Sequence, residues 1–165
     1  MFPLDRHAGL VYNTPFHRGV AQSGSAQRSG RWGRGFKSHL PDSNFLMLIR
    51  KLSTSRRFVS GDKAVLRELL HPDKARAGIR YSLAHAVVKP GKKTLPHRLA
   101  TSEVYYILAG RGVMHVGDES ERVRPGQAVY VPPGSVQFIE NAGRSELAFL
   151  CIVDPAWRPE DEEVL

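Results

Sequence analysis

From about Ile79 onward the chain reads as short runs rich in Val, Ile, Tyr, Phe and Leu, broken at regular intervals by turn residues. The runs are RYSLAHAVV, SEVYYILA, GVMHVGD, QAVYVPP, VQFIEN and ELAFLCIV, and the breaks include PGKK, GRG, GDES, RPG, PPG and NAGRS. β-branched and aromatic side chains fit a pleated surface, while Gly, Pro and Asn supply the conformations that end it, so the pattern predicts strands joined by tight turns. Connections this short imply antiparallel neighbours, because a parallel crossover needs a dozen or more residues. The expectation is an all-β sandwich or barrel. Upstream, DKAVLRELLHPD (Asp62 to Asp73) fits either a short helix or an edge strand, and its periodicity does not separate them. No repeat of solenoid type is present.

Size and cysteine content narrow the setting. A chain of 165 residues is sized for one domain with a real core. Cys151 is the one cysteine, so no intramolecular disulfide can form and a reducing, cytoplasmic location is expected. No apolar run reaches the roughly 18 to 20 residues of a membrane span, and the N-terminus lacks the apolar stretch of a signal peptide. A soluble protein with no membrane partner is the reading.

Net charge changes the picture only until its location is considered. The formal charge of +8 would raise binding to nucleic acid. Residues 1–46, however, carry 6 Lys+Arg against 2 Asp+Glu, so a quarter of the chain supplies half the excess. Arg18 to Ser43 is rich in Gly, Ser and Arg without helical or strand periodicity, the composition of a disordered basic arm. This segment also resembles a translated transfer-RNA gene. GFKS back-translates to GGG-TTC-AAA-TCC, which contains a T-arm sequence, and VAQSGSA accommodates a D-arm. Residues 1–46 are therefore expected to be a disordered or spurious extension, with translation starting at Met47 and a single domain over 47–165. Codons under Arg18 to Asp42 that cannot fold as a cloverleaf would refute this. Without the extension, nucleic-acid binding loses its main support.

Two motifs sharpen the fold. GKKTLPHRLATSEVYYILAG (Gly91 to Gly110) resembles the first motif of the cupin superfamily, G-x5-H-x-H-x3-E-x6-G, with Leu99 in place of the second His. GQAVYVPPGSVQFIEN (Gly126 to Asn141) resembles the second, G-x5-P-x-G-x2-H-x3-N, with Gln137 in place of the His. The resemblance covers about residues 80–155 and implies a double-stranded β-helix, or jelly roll, with a short N-terminal extension. The motif glycines are expected to hold positive φ or tight corners.

Candidate chemistry follows from these positions. By period-2 geometry, residues 97 and 99 share one strand face, as do 103, 105 and 107 on the next, so His97, Glu103 and Gln137 can converge. The resemblance implies a metal held by three His and one Glu. Carried over, His97 offers an imidazole, Glu103 a carboxylate and Gln137 an amide oxygen, while Leu99 offers nothing. A divalent Fe, Mn or Zn ion is expected at these three, with His85 or His115 as an added ligand if its register points inward; His71 is a further candidate beside a turn or cap role. Two readings stand beside the metal: a polar barrel centre satisfied by hydrogen bonds and water, or His97 and Glu103 as a general acid/base pair on a small ligand.

Around them, Tyr105, Tyr130 and Phe138 are either cavity walls or core. Cys151 reads as a small buried hydrophobe, and Trp157, in an acidic Pro-punctuated tail, should pack back on the barrel. An oxygenase or an isomerase like mannose-6-phosphate isomerase fits the resemblance; a metal-free binding or regulatory protein is the alternative. The resemblance further implies a homodimer, and Ala64 to Leu70 could pair as an edge strand across its interface.

Overall fold

A computed structural model describes residues 47–75 and 77–165. The expectations for residues 1–46 lie outside them. In chain order the strands of the described residues are β1 (Arg57–Val59), β2 (Val65–Leu70), β3 (Ser82–Val88), β4 (His97–Leu99), β5 (Ser102–Ala109), β6 (Gly112–Val116), β7 (Glu119–Val123), β8 (Ala128–Val131), β9 (Gln137–Asn141), β10 (Leu147–Asp154) and β11 (Glu162–Val164). They form two antiparallel sheets, one ordered β1-β2-β3-β10-β5-β8 and the other β11-β4-β9-β6-β7. This is the expected jelly roll. No helix of the described residues is long and apolar enough to cross a membrane.

Alternation decides what each strand presents to the interior. On β5, Glu103, Tyr105 and Ile107 are buried, while Tyr106 and Leu108 are each 41% exposed. On β9, Gln137, Ile139 and Asn141 are buried in the same way. Ile107, Met114, Ile139, Leu147 and Phe149 belong to one core cluster. Because Glu103 and Gln137 head their strands and Ile107 and Ile139 follow, the polar side chains gather toward one end of the barrel and the apolar core fills the other.

The motif residues earn their places by geometry. Gly110 has φ of 85°, and a Cβ there would sit 2.5 Å from the Glu146 carbonyl oxygen. Asn141 stitches the β9–β10 turn to β3: its amide donates to the Val88 and Ser145 carbonyls at 2.8 Å each, and its carbonyl accepts from Gly143 N at 2.9 Å.

Each of the six apolar runs contains a strand. Five strands lack such a run, β1, β2, β4, β7 and β11; of these β7 reads as polar ESERV and β11 lies in the acidic tail, yet both are held by pairing with β6 and β4 respectively. Asp62 to Asp73 resolves into β2 and a short helical turn, Pro72–Ala75. The expected role of Ala64 to Leu70 as an edge strand needs correction. β2 is flanked by β1 as well as β3, so β1 forms that edge of the sheet.

Candidate functional site

His97 lies on β4 directly beside Gln137 of β9, whereas Glu103 enters from β5 in the other sheet. The Gln137 amide Nε2 donates to Glu103 Oε2 at 2.8 Å, tying the two sheets together at the polar end of the barrel. All three side chains are at least 95% buried. His97 and Glu103 face a cavity of about 380 Å³, whose walls include Leu66, Leu99, Tyr105, Phe149 and Cys151. Gln137 is fully buried and does not line it.

The imidazole orientation follows from its partner. His97 Nδ1 lies 2.9 Å from the Leu95 carbonyl oxygen, which can only accept, so Nδ1 carries a proton and donates it. Nε2 makes no hydrogen bond among the described residues and is the ring atom left for the cavity. Asp62, in the β1–β2 turn, comes over the same ring with Oδ2 3.9 Å from Nδ1. Its other oxygen accepts from Ala64 N at 3.2 Å and from the Ser60 hydroxyl, and its backbone carbonyl accepts from Leu95 N at 2.6 Å. The turn is thereby fastened to the residues that lead into β4.

Glu103 carries the largest electrostatic consequence. Burial pushes its carboxyl from an ordinary value of 4.5 up to about 7. The charge of His97 and hydrogen bonds from Cys151 and Gln137 pull it back, and the charge of Asp62 pushes it further up. Burial also raises the Cys151 thiol and the Tyr105 phenol well above their usual ranges, and the Glu103 charge adds to both. Both groups are neutral near pH 7. Cys151 is half-buried on the cavity wall, and a thiol held protonated beside Glu103 is a poor nucleophile.

The remaining candidates fall elsewhere. His85 alternates with the cavity-facing Ala84 and Ala86, so it projects from the opposite face of β3, paired in register with Arg67; burial lowers its pKa, and the Arg67 charge lowers it further. His115 stacks on Phe138 with ring centroids 4.0 Å apart, and its Nδ1 is 2.7 Å from the Ser120 hydroxyl. Neither joins His97 and Glu103. His71 takes the turn role: its Nδ1 accepts from Asp73 N at 3.3 Å, and Nε2 is 3.0 Å from the Trp157 carbonyl. Tyr105 lines the cavity, but Phe138 packs against His115 and Tyr130 is 60% exposed. Trp157 does pack back: its indole donates to Glu162 at 2.9 Å at the cavity wall. Asp62 and Glu162 are site residues that sequence reasoning missed. A short SGDK turn and an acidic tail carry no local sign of what they will cover.

These donors do not fit a divalent transition metal. Such ions favour imidazole, thiolate or carboxylate over a neutral amide, and of the three expected ligands only His97 and Glu103 reach the cavity. Gln137 sits behind Glu103, donating Nε2 to it, and its amide oxygen is buried without a partner among the described residues, off the cavity wall; Leu99 is buried where a second imidazole would stand. Among the described residues no three His, Cys, Asp or Glu side chains are grouped to hold an ion.

The Cupin domain family matches residues 84–153. The chain is 43% identical over 109 residues to an uncharacterized protein of Methanocaldococcus jannaschii, covering 66% of this chain and 86% of that protein. It is 32% identical over 88 residues to an oxalate-binding protein of Thermotoga maritima, covering 53% and 68% respectively. Among solved structures, a Cupin 2 conserved barrel domain protein from Salinispora arenicola matches with a TM-score of 0.58 at 19% identity, over 70% of this chain and 92% of that one. At that identity the likeness speaks for the fold alone.

Proposed function

The chain belongs to the cupin superfamily, and on that premise we propose that its barrel binds a small polar organic molecule on which Glu103 and His97 move a proton, without a metal ion at the centre. The observation that carries this reading is Glu103 itself, a buried carboxyl facing the cavity with its pKa raised to about 7. Near neutrality such a group divides between acid and base forms, so it can either give or take a proton with little driving-force penalty. His97 presents Nε2 to the same space, with its tautomer set by Leu95. Gln137, which donates to Glu103 from behind, is a positioning residue, and Cys151 and Tyr105 line the cavity beside it. A relative named an oxalate-binding protein supports a small molecule as the ligand.

The rival reading places Fe, Mn or Zn at His97, Glu103 and Gln137 and makes the protein an oxygenase or a sugar-phosphate-type isomerase. Elemental analysis after purification under metal-replete conditions separates the two. The expected content is well below one divalent ion per chain and is unchanged in His97→Ala. One ion per chain that disappears in His97→Ala would overturn the proposal.

A further inference from the structure

The cavity has a charge character that the proton-moving pair does not by itself explain. Among the described residues its lining holds four carboxyl side chains, Asp62, Glu68, Glu103 and Glu162, against Lys74 and His97, with no arginine. Lys74 is already committed, since its ammonium reaches both Glu68 oxygens at 2.9 Å. That pair offsets one carboxylate with one ammonium at the exposed rim of the cavity. Deeper in, Asp62 is 92% buried by its 8% exposure, and its Oδ2 has no hydrogen-bond partner among the described residues. His97 Nε2 is likewise unpartnered among the described residues, on a side chain that is itself buried.

With Nδ1 donating to Leu95, Nε2 is the ring atom left to accept a ligand hydrogen when it carries no proton of its own. These two open atoms are thus acceptors, and among the described residues no free lysine or arginine faces them. A ligand carboxylate entering here would approach the buried Asp62 at short range, where like charges repel more than in open water. A donor-bearing cation gains from the same arrangement. Its carbon skeleton would meet Leu66, Leu99 and Phe149, with Phe58 and Trp157 also on the wall to face a positive group.

We propose that the ligand of this cavity is a small organic amine, seated with its N–H donors against Asp62 and His97 and its apolar body against Leu99 and Phe149. This rests on the reading of the barrel as a ligand site. It also departs from what the name of the oxalate-binding relative would lead one to try first.

The test compares three probes of one skeleton, benzylamine, benzyl alcohol and benzoate, by calorimetric titration into the full chain at pH 7.5. Benzylamine is expected to bind about tenfold or more tighter than benzoate, with benzyl alcohol between them. In Asp62→Asn, benzylamine should lose about tenfold while benzyl alcohol changes little. The comparison on the unmodified protein needs no variant, so a misfolded Asp62→Asn leaves the test intact. Benzoate binding as tightly as benzylamine would overturn the amine assignment while supporting the barrel as a ligand site. Failure of all three to bind at about 10 mM would also overturn it. The metal-content experiment then judges the metal-free part of the functional reading separately.

Discussion

Replacing Glu103 by Gln keeps the shape of the side chain and removes its titration. Glu103 is fully buried, and its carboxyl rises from an ordinary 4.5 to about 7 in the folded protein. Between those values the folded chain holds a proton that the unfolded chain has lost. Stability therefore falls as pH rises through this window; the contribution is complete below 4.5 and gone above 7. At about 1.4 kcal/mol per pH unit, the ionised folded protein is worse off by about 3 kcal/mol. Glu103→Gln escapes that loss, and the neutral amide can still accept from Gln137 Nε2, which now donates to Glu103 Oε2. Urea unfolding of both proteins at intervals from pH 4.5 to 8 should show the variant gaining on the wild type by about 3 kcal/mol across the range. Taking the difference between the proteins cancels every other titrating group that the substitution leaves alone. A difference that stays flat with pH would refute the raised carboxyl and, with it, the proton-moving role assigned to Glu103.

Two further outcomes follow from local geometry. Gly110→Ala forces a Cβ to within 2.5 Å of the Glu146 oxygen and 2.8 Å of Leu147 Cα at a φ of 85°, whereas Gly91→Ala, at a φ of 66°, meets nothing within 4 Å. Thermal unfolding should show Gly91→Ala costing about 1 kcal/mol and Gly110→Ala about 3 kcal/mol or more, and equal costs would count against the described corner. Leu99→His puts a second imidazole on the cavity wall beside His97. Elemental analysis should then find a clear gain of bound zinc over the wild type, and no gain would show that a shortage of ligands is not what limits the site.

Much of the barrel was legible because strand alternation and turn chemistry are local. SEVYYILA carries its own period of two, and it lies in the structure as β5 with Glu103, Tyr105 and Ile107 turned inward. The two glycine-framed motifs likewise placed His97, Glu103 and Gln137 on strands that meet. The polar ESERV segment had no such pattern to read, because four of its five residues are exposed and its strand exists only through pairing with β6.

What the chain determined by itself, then, is the identity and spacing of the polar residues at the barrel end and the glycines that let the corners close. What only the tertiary structure decided is which of them share a space. A histidine on a strand faces in or out according to the register of its neighbours, and the pairings of β3 with β2 and of β6 with β9 turned His85 and His115 away. Gln137 ended up behind Glu103 rather than in the cavity, and Asp62 arrived from a turn 35 positions before His97. Desolvation is a property of that assembled enclosure, so the carboxyl that sequence alone marks as an ordinary glutamate becomes, inside it, a group poised near neutral pH.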